Sequence, residues 1–294
     1  KKWLGTKQLT MTPNELIHNV LQMEVDLLWN GGIGTYVKST KESHSQVGDR
    51  ANDDTRVNGS QVKAKIIGEG GNLGLTQLGR IEFARNGGRV NTDFIDNVGG
   101  VDCSDNEVNI KILLNALVSA GDLTLKQRNN LLFEMTDDVG DLVIQDCYRQ
   151  TESISITQLS GGSQLKEQLR FIHNLEKEGN LNRELEFIPT DDEISDRLAV
   201  SQGLTRPELS VLIAYGKMML KERFNIPELT DNPYHRKLLV SAFPEVLQKR
   251  YAEQMEQHPL RSEIIATKLT NNLINDMGMN FVFRMQEETG ATID

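Results

Sequence analysis

The feature that most constrains this chain is a change of character near residue 104. Before it, short apolar segments run into clusters of glycine and asparagine. Beyond it, capped apolar stretches of helical period continue to the last residues. "EVDLLWN" is stopped by Gly31 and Gly32, and "AKIIGEGG" by its own glycines. "RVNTDFIDN" sets Val90, Thr92 and Phe94 on one side and is followed by Gly99 and Gly100. Between the last two, "TQLGRIEFARNGG" carries Leu78, Ile81 and Ala84 at helical spacing and ends in the glycines that stop helices. Strand, helix, strand at this length predicts a crossover unit and hence a parallel sheet. Residues 40–61 are polar and poorly periodic, which predicts a surface loop with one short helix.

Downstream the signals are those of helices. Ser104 with Glu107, Thr190 with Glu193, and Thr205 with Glu208 have capping-box spacing. Thr124 can open one long helix running to Gln150, and "QLSGGSQ" reads as a short break. Leu165, Leu169, Ile172 and Leu175 mark the next helix, and "HPLRSEIIATKLTNNLINDMGM" the last long one. In "NEVNIKILLNALVSAG" Val108 with Ile112, and Leu113 with Leu117, fall on adjoining rows, more apolar surface than one sheet contact needs. The expected fold class is α/β followed by all-α, with a sheet-containing part over residues 1–121 and a helical part over 122–294.

Composition narrows the function classes. A net charge of −10 argues against a nucleic-acid surface, which needs a basic face. No apolar run reaches the ~18 residues of a membrane span. The first residues lack both an apolar signal core and an initiator Met, so the chain is expected to be part of something longer. Cys103 and Cys147 form neither CxxC nor zinc spacing, so neither a metal nor a disulfide framework is expected, and Cys103 reads as a packing residue. The five histidines form no ligand set or triad.

The glycine clusters admit two readings. Gly32 and Gly34 give GxG, but position 37 is Val and no glycine precedes Lys38, so the first cluster is neither a dinucleotide fingerprint nor a phosphate loop. By itself it is a strand-to-loop turn. Three clusters at the same edge of one parallel sheet instead point to a small-molecule crevice, because ligands of open α/β sheets bind at the carboxyl ends of the strands. Asn offers both donor and acceptor there, and Gly admits close backbone approach.

The run "KAKIIGEGGNLGLTQLGRIEFARNGGRVNTDFIDNVGGVDCSDNE" resembles the later part of the nucleotide-binding domain of glutamate dehydrogenases. That family has an Asp-led strand, an E-G-A-N loop, and N-A-G-G-V followed by a serine. Here these are Asp26 to Asn30, Glu69-Gly70-Gly71-Asn72, and Asn97-Val98-Gly99-Gly100-Val101 with Ser104. The match is closest to the very long NAD-specific bacterial enzymes. "DLLWNGGIGTYVK", "VGDRAND", "RPELSVLIAYGK" and "HPLRSEIIATKLTNNLINDMGMNFVFRMQEETGA" extend it over nearly the whole chain.

The resemblance implies an incomplete Rossmann-like parallel sheet, holding later strands only, that continues into a C-terminal helical domain. It implies NAD as cofactor and reversible oxidative deamination of L-glutamate to 2-oxoglutarate and ammonia, in the cytoplasm and in a homo-oligomer of the full-length protein. The fingerprint strand and the catalytic lysine and aspartate would lie upstream, so no catalytic residue is assigned here and the isolated chain is expected to be inactive. Cofactor contacts would come from Asn30, Gly31, Gly32, Gly70, Gly71, Asn72 and Asn97, with Glu69 bracing its loop. Gly71 departs from the family's Ala. Ser104 would bind a substrate carboxylate, a role that competes with helix capping for the same oxygen. The alternative is a non-catalytic helical module for assembly or regulation of the same larger protein.

Overall fold

The structure, a computed structural model, describes Leu4 and residues 10–291. It opens with a helix the sequence pattern did not predict, α1 (Pro13–Leu21). Thr12 and Glu15 form a reciprocal capping box, and Pro13 occupies the first helical position, where its missing N–H costs nothing. Strand β1 (Leu27–Asn30) comes after it, then β2 (Val37–Lys38), α2 (His44–Val47) and β3 (Val57–Asn58). The polar stretch 40–61 thus holds its short helix and also a strand. Next come β4 (Ile66–Glu69), α3 (Gln77–Arg85) and α4 (Asp93–Asp96).

The strands form two parallel pairs. β1 pairs with β4 in the register Leu27 to Ile66 and Asn30 to Glu69, and β2 pairs with β3. The third expected strand is reduced to a single parallel bridge, Ile66 to Arg89. Its hydrogen bonds run from Ile67 N to Arg89 O and from Arg89 N to Lys65 O. From Asp93 the segment is helical instead. Asp93 accepts from the N–H groups of Leu73 and Phe94, which fixes it at a helix start rather than in a strand. The parallel return predicted for this segment is present, but its length is not.

The next correction concerns α5 (Val98–Ala120). The helix begins six residues before Ser104, so Gly99 and Gly100 lie in its first turn and no capping box forms at Ser104. Thr124 does cap a helix, α6 (Leu125–Glu134), through Gln127. The expected single helix breaks at Met135, and α7 (Thr136–Leu159) starts with Asp137 and Asp138 in its first turn, where acidic side chains suit the helix dipole.

The remainder is helical as expected: α8 (Leu165–Lys177), α9 (Asp191–Ala199), α10 (Arg206–Phe224), α11 (Pro227–Thr230), α12 (Arg236–Ser241), α13 (Glu245–Met255), α14 (Arg261–Met277) and α15 (Phe281–Thr289). The capping box at Thr190 and Glu193 is formed. At Thr205 the Glu208 carboxylate reaches back to the backbone N–H and the hydroxyl.

The chain divides into two compact units, residues 1–98 with 154–212, and residues 99–153 with 213–294. They are interleaved in sequence, and neither ends at residue 121. In the first unit Val37, Val57, Ile67, Leu75, Phe83 and Val90 form a core beneath the strands. In the second, Ile110, Leu113, Leu114 and Leu117 of α5 pack with Leu239, Phe243, Leu247 and Ile265. The two rows expected on α5 are not equivalent: Leu113 and Leu117 are buried, whereas Val108 is 52% exposed. No described helix is long and apolar enough to cross a membrane.

Candidate functional site

The carboxyl ends of β1 and β4 lie side by side because Asn30 and Glu69 are register partners. The loops that leave these two ends are held by backbone contacts. The Asn30 carbonyl accepts from both Gly70 N and Gly71 N, at 2.8 and 3.0 Å. These two N–H groups are therefore engaged within the protein. The glycines serve close approach: the Trp29 indole lies against Gly68 and Gly70, and a Cβ on Gly71 would strike the Gly32 carbonyl. Gly31 lies beside the same indole, and Gly32 N points at Asn30 Oδ1 at 3.5 Å. Asn30 Nδ2 is buried against Gly74 and has no hydrogen-bond partner.

Above this packed base the structure brings two predicted residues together. Asn97 Nδ2 donates to Asn72 Oδ1. Asn72 is exposed in the loop after β4. Asn97 ends α4, its N–H donating to Asp93 O at 2.8 Å, immediately before α5. The pair leaves Asn97 Oδ1 as an acceptor and Asn72 Nδ2 as a donor.

The loop is braced from below by a buried ionic cluster. Glu69, fully buried, receives Arg80 Nε at 2.6 Å and Arg80 Nη2 at 2.9 Å, a two-point pairing, and also Leu75 N at 3.0 Å. Arg80 Nη2 lies 3.3 Å from Asp93 Oδ1, while Asp93 Oδ2 accepts from Leu73 N at 2.7 Å. Asp96 accepts from Glu69 N at 3.0 Å and from Asn91 Nδ2 at 2.7 Å. Asn91 in turn accepts from Arg206 Nε at 2.9 Å. Burial pushes the Glu69 carboxyl up despite Arg80, with Asp93 adding to the rise. Burial likewise raises Asp96. Removing one partner from such a cluster leaves an uncompensated buried charge, which typically costs ~3–5 kcal/mol.

Glu69 is thus the loop brace the sequence suggested. Arg80, Asp93 and Asp96 were missed, because buried charges give no periodic signal. The one clue was an arginine facing inward on a helix already marked by Ile81 and Ala84.

Ser104 belongs to the second unit and lies nearly two turns inside α5, exposed, its hydroxyl donating to Gly100 O at 3.1 Å. Helix capping therefore does not compete for it. Cys103 is exposed rather than packed. In the same unit Asp102 is pushed up to about 6, first by burial and then by Asp146. Lys217, donating to Gln150 Oε1 at 2.7 Å, is pushed down to about 8 by burial. No group of three or more His, Cys, Asp or Glu among the described residues could hold a metal ion.

Comparison with known proteins accounts for both parts of the chain. Residues 1–157 match the family described as bacterial NAD-glutamate dehydrogenase, catalytic domain, and residues 201–294 match glutamate dehydrogenase, C-terminal. A relative from Pseudomonas aeruginosa, named NAD-specific glutamate dehydrogenase, is 53% identical over 96% of this chain and 17% of its own length. Relatives of the same name from Halomonas elongata and Mycobacterium tuberculosis are 50% and 47% identical over 99% and 96% of this chain. The chain spans 18% and 17% of these two, so it corresponds to under a fifth of each relative. With more than half its residues matched by one family and nearly all by these relatives, this chain belongs to the bacterial NAD-glutamate dehydrogenases.

Proposed function

We propose that this chain contributes part of the cofactor site of an NAD-specific glutamate dehydrogenase, which converts L-glutamate, NAD⁺ and water to 2-oxoglutarate, ammonium, NADH and a proton. The sheet would be the later portion of a Rossmann-like domain. The observation that carries this reading is the side-chain hydrogen bond between Asn72, in the loop after β4, and Asn97, at the end of α4. An exposed and a half-buried amide, with a free donor on Asn72 and a free acceptor on Asn97, suit a carboxamide such as that of nicotinamide.

The residues present fit that group. Asn30 has a buried donor without a partner, and the loop has glycines wherever a side chain would force the strand ends apart. When bound, NAD supplies the hydride acceptor, and the protein positions it. Asn72 and Asn97 would orient the carboxamide, Asn30, Gly31 and Gly32 would line one side, and Gly70 and Gly71 the other. The Glu69–Arg80 pair fixes the loop that carries Asn72. Ser104, taken by itself, is proposed to donate to a substrate carboxylate. No GxGxxG occurs in the 294 residues, so we assign the pyrophosphate contacts and the proton-transfer steps to other parts of the enzyme.

Asn97→Ala in the full-length enzyme tests the reading. Losing an amide aimed at the cofactor should remove about 1–3 kcal/mol of transition-state stabilisation, read as a fall in kcat/KM with the melting temperature held. A lower melting temperature with unchanged kinetics per folded molecule would make Asn97 a turn residue and favour the assembly-module reading.

A further inference from the structure

The first unit holds a cavity of about 450 Å³ whose lining includes neither Asn72 nor Asn97. It is large enough for a small organic molecule, since ligand pockets run to ~300–1,000 Å³. Its floor is apolar, formed by Leu78 and Ile81 of α3 with Ile188 and Pro189. Phe187 lines it with φ +54° and is 43% exposed. A bulky residue in the left-handed region is uncommon, and such strain concentrates at ligand sites.

The polar groups around this floor are not balanced. Of its carboxylates, Glu82 is saturated by Ser39 Oγ, by the N–H and hydroxyl of Thr40, and by Ser60 N. Glu208 is taken by Arg197 and Thr205. Glu193 caps α9 through Thr190. Glu184 is exposed. Two of the cations are paired with carboxylates yet each keeps an unused buried donor. Arg197, only 5% exposed, pairs with Glu208 through Nη1 and Nη2, yet its Nε is buried with no hydrogen-bond partner. Arg183 donates Nε to Pro189 O and Nη1 to Asp191 Oδ1, while its Nη2 is likewise buried with no hydrogen-bond partner. Unmade hydrogen bonds on buried guanidinium groups are costly unless something fills them. Exposed Lys41 and Arg85 also line the cavity.

We propose that this cavity binds a small organic anion, whose apolar body lies on Ile81, Ile188 and Phe187 and whose carboxylate or phosphate head meets Arg85, Arg183 and Arg197. An occupant would touch α3, whose Arg80, next to Ile81, holds the Glu69 brace.

The test uses the 294-residue chain with benzoate and phenyl phosphate as anionic probes and benzyl alcohol as the neutral isostere, followed by calorimetry and ligand-observed NMR. Arg85→Glu and Lys41→Glu are the variants, because both side chains are exposed. Circular dichroism melts confirm folding. The expected result is binding of at least one anion, not matched by the alcohol, and weakened at least tenfold by Arg85→Glu. The stronger of the two probes identifies the head group as carboxylate or phosphate. Should Arg85→Glu fail to fold, Lys41→Glu and competition between the two anions carry the same test, with weakening by several-fold and mutual displacement expected. Equal binding of the alcohol, anion binding that folded variants leave unchanged, or no binding of either anion would overturn the proposal.

Discussion

Gly71 shows how one missing side chain can set the geometry of a site. Shorter glutamate dehydrogenases have Ala at the matching place, and from sequence alone the change was unexplained. Here a Cβ would meet the Gly32 carbonyl, while Gly71 N already donates to Asn30 O. Gly71→Ala should therefore push the loops after β1 and β4 apart, an overpacking cost of ~1–3 kcal/mol. In the full-length enzyme this would appear as a lower melting temperature together with weaker NAD binding. A variant with both unchanged would show that the close approach is dispensable. Asp102 makes a prediction of opposite sign. Its carboxyl is raised from 3.8 to about 6, by burial first and then by Asp146, with Asp105 adding and Lys268 and Lys217 opposing. The folded state binds the extra proton between those values, so this group's contribution to stability falls as pH rises through about 6. Asp102→Asn removes that penalty. At pH 8 the variant should melt higher, by roughly 2–4 °C if solvent screening leaves ~1 kcal/mol, and the gain should vanish below pH 4. Equal gains at both pH values would indicate a packing effect.

At the scale of elements, what was legible were segments whose own chemistry decides them. β1 and β4 were marked by apolar runs ending in glycine, α3 by its period, and α6 and α9 by their caps. What was not legible depends on distant partners. The alternation Val90, Thr92, Phe94 is a fair strand signal, yet Asp93 is claimed by Leu73 N and the chain turns into α4. Val98 to Gly100 looked like a loop because glycine weakens helices, but α5 starts with them all the same. The Asn72–Asn97 pair was foreseen as two residues near one cofactor, not as bonded to each other. The ionic cluster beneath them was seen only through Glu69. On α5 the buried row can be separated from the exposed one by experiment. Leu114 is fully buried among Leu239, Phe243 and Ile265, so Leu114→Ala should cost ~2–5 kcal/mol in urea unfolding. Val108→Ala on the exposed row should fall within about 0.5 kcal/mol of the parent. Comparable losses at both positions would mean that the exposed row is covered in solution.

For the molecule as a whole, chain order and compactness do not coincide. Residues 154–212 complete the unit begun by residues 1–98, and residues 213–294 complete the one begun by 99–153. The chain passes from one unit to the other three times, within α5, α7 and α10. No Pro- or Ser-rich linker marks any of these crossings, so the sequence offered no sign of them. The turn near residue 121 is the most inviting boundary by eye, with Gly121 at φ +85° after a long helix. Yet Leu123, just beyond it, is buried in the same core as Leu117 before it. A cut there would leave residues 1–121 without the 154–212 segment and residues 122–294 without α5, so each piece would lack half of a unit. Limited proteolysis should therefore fail to release two stable folded fragments from cleavage between about residues 118 and 126. The nicked chain should either elute as one species on gel filtration or be degraded throughout. Two separately eluting fragments, each melting cooperatively, would show instead that the portions before and after residue 121 fold independently.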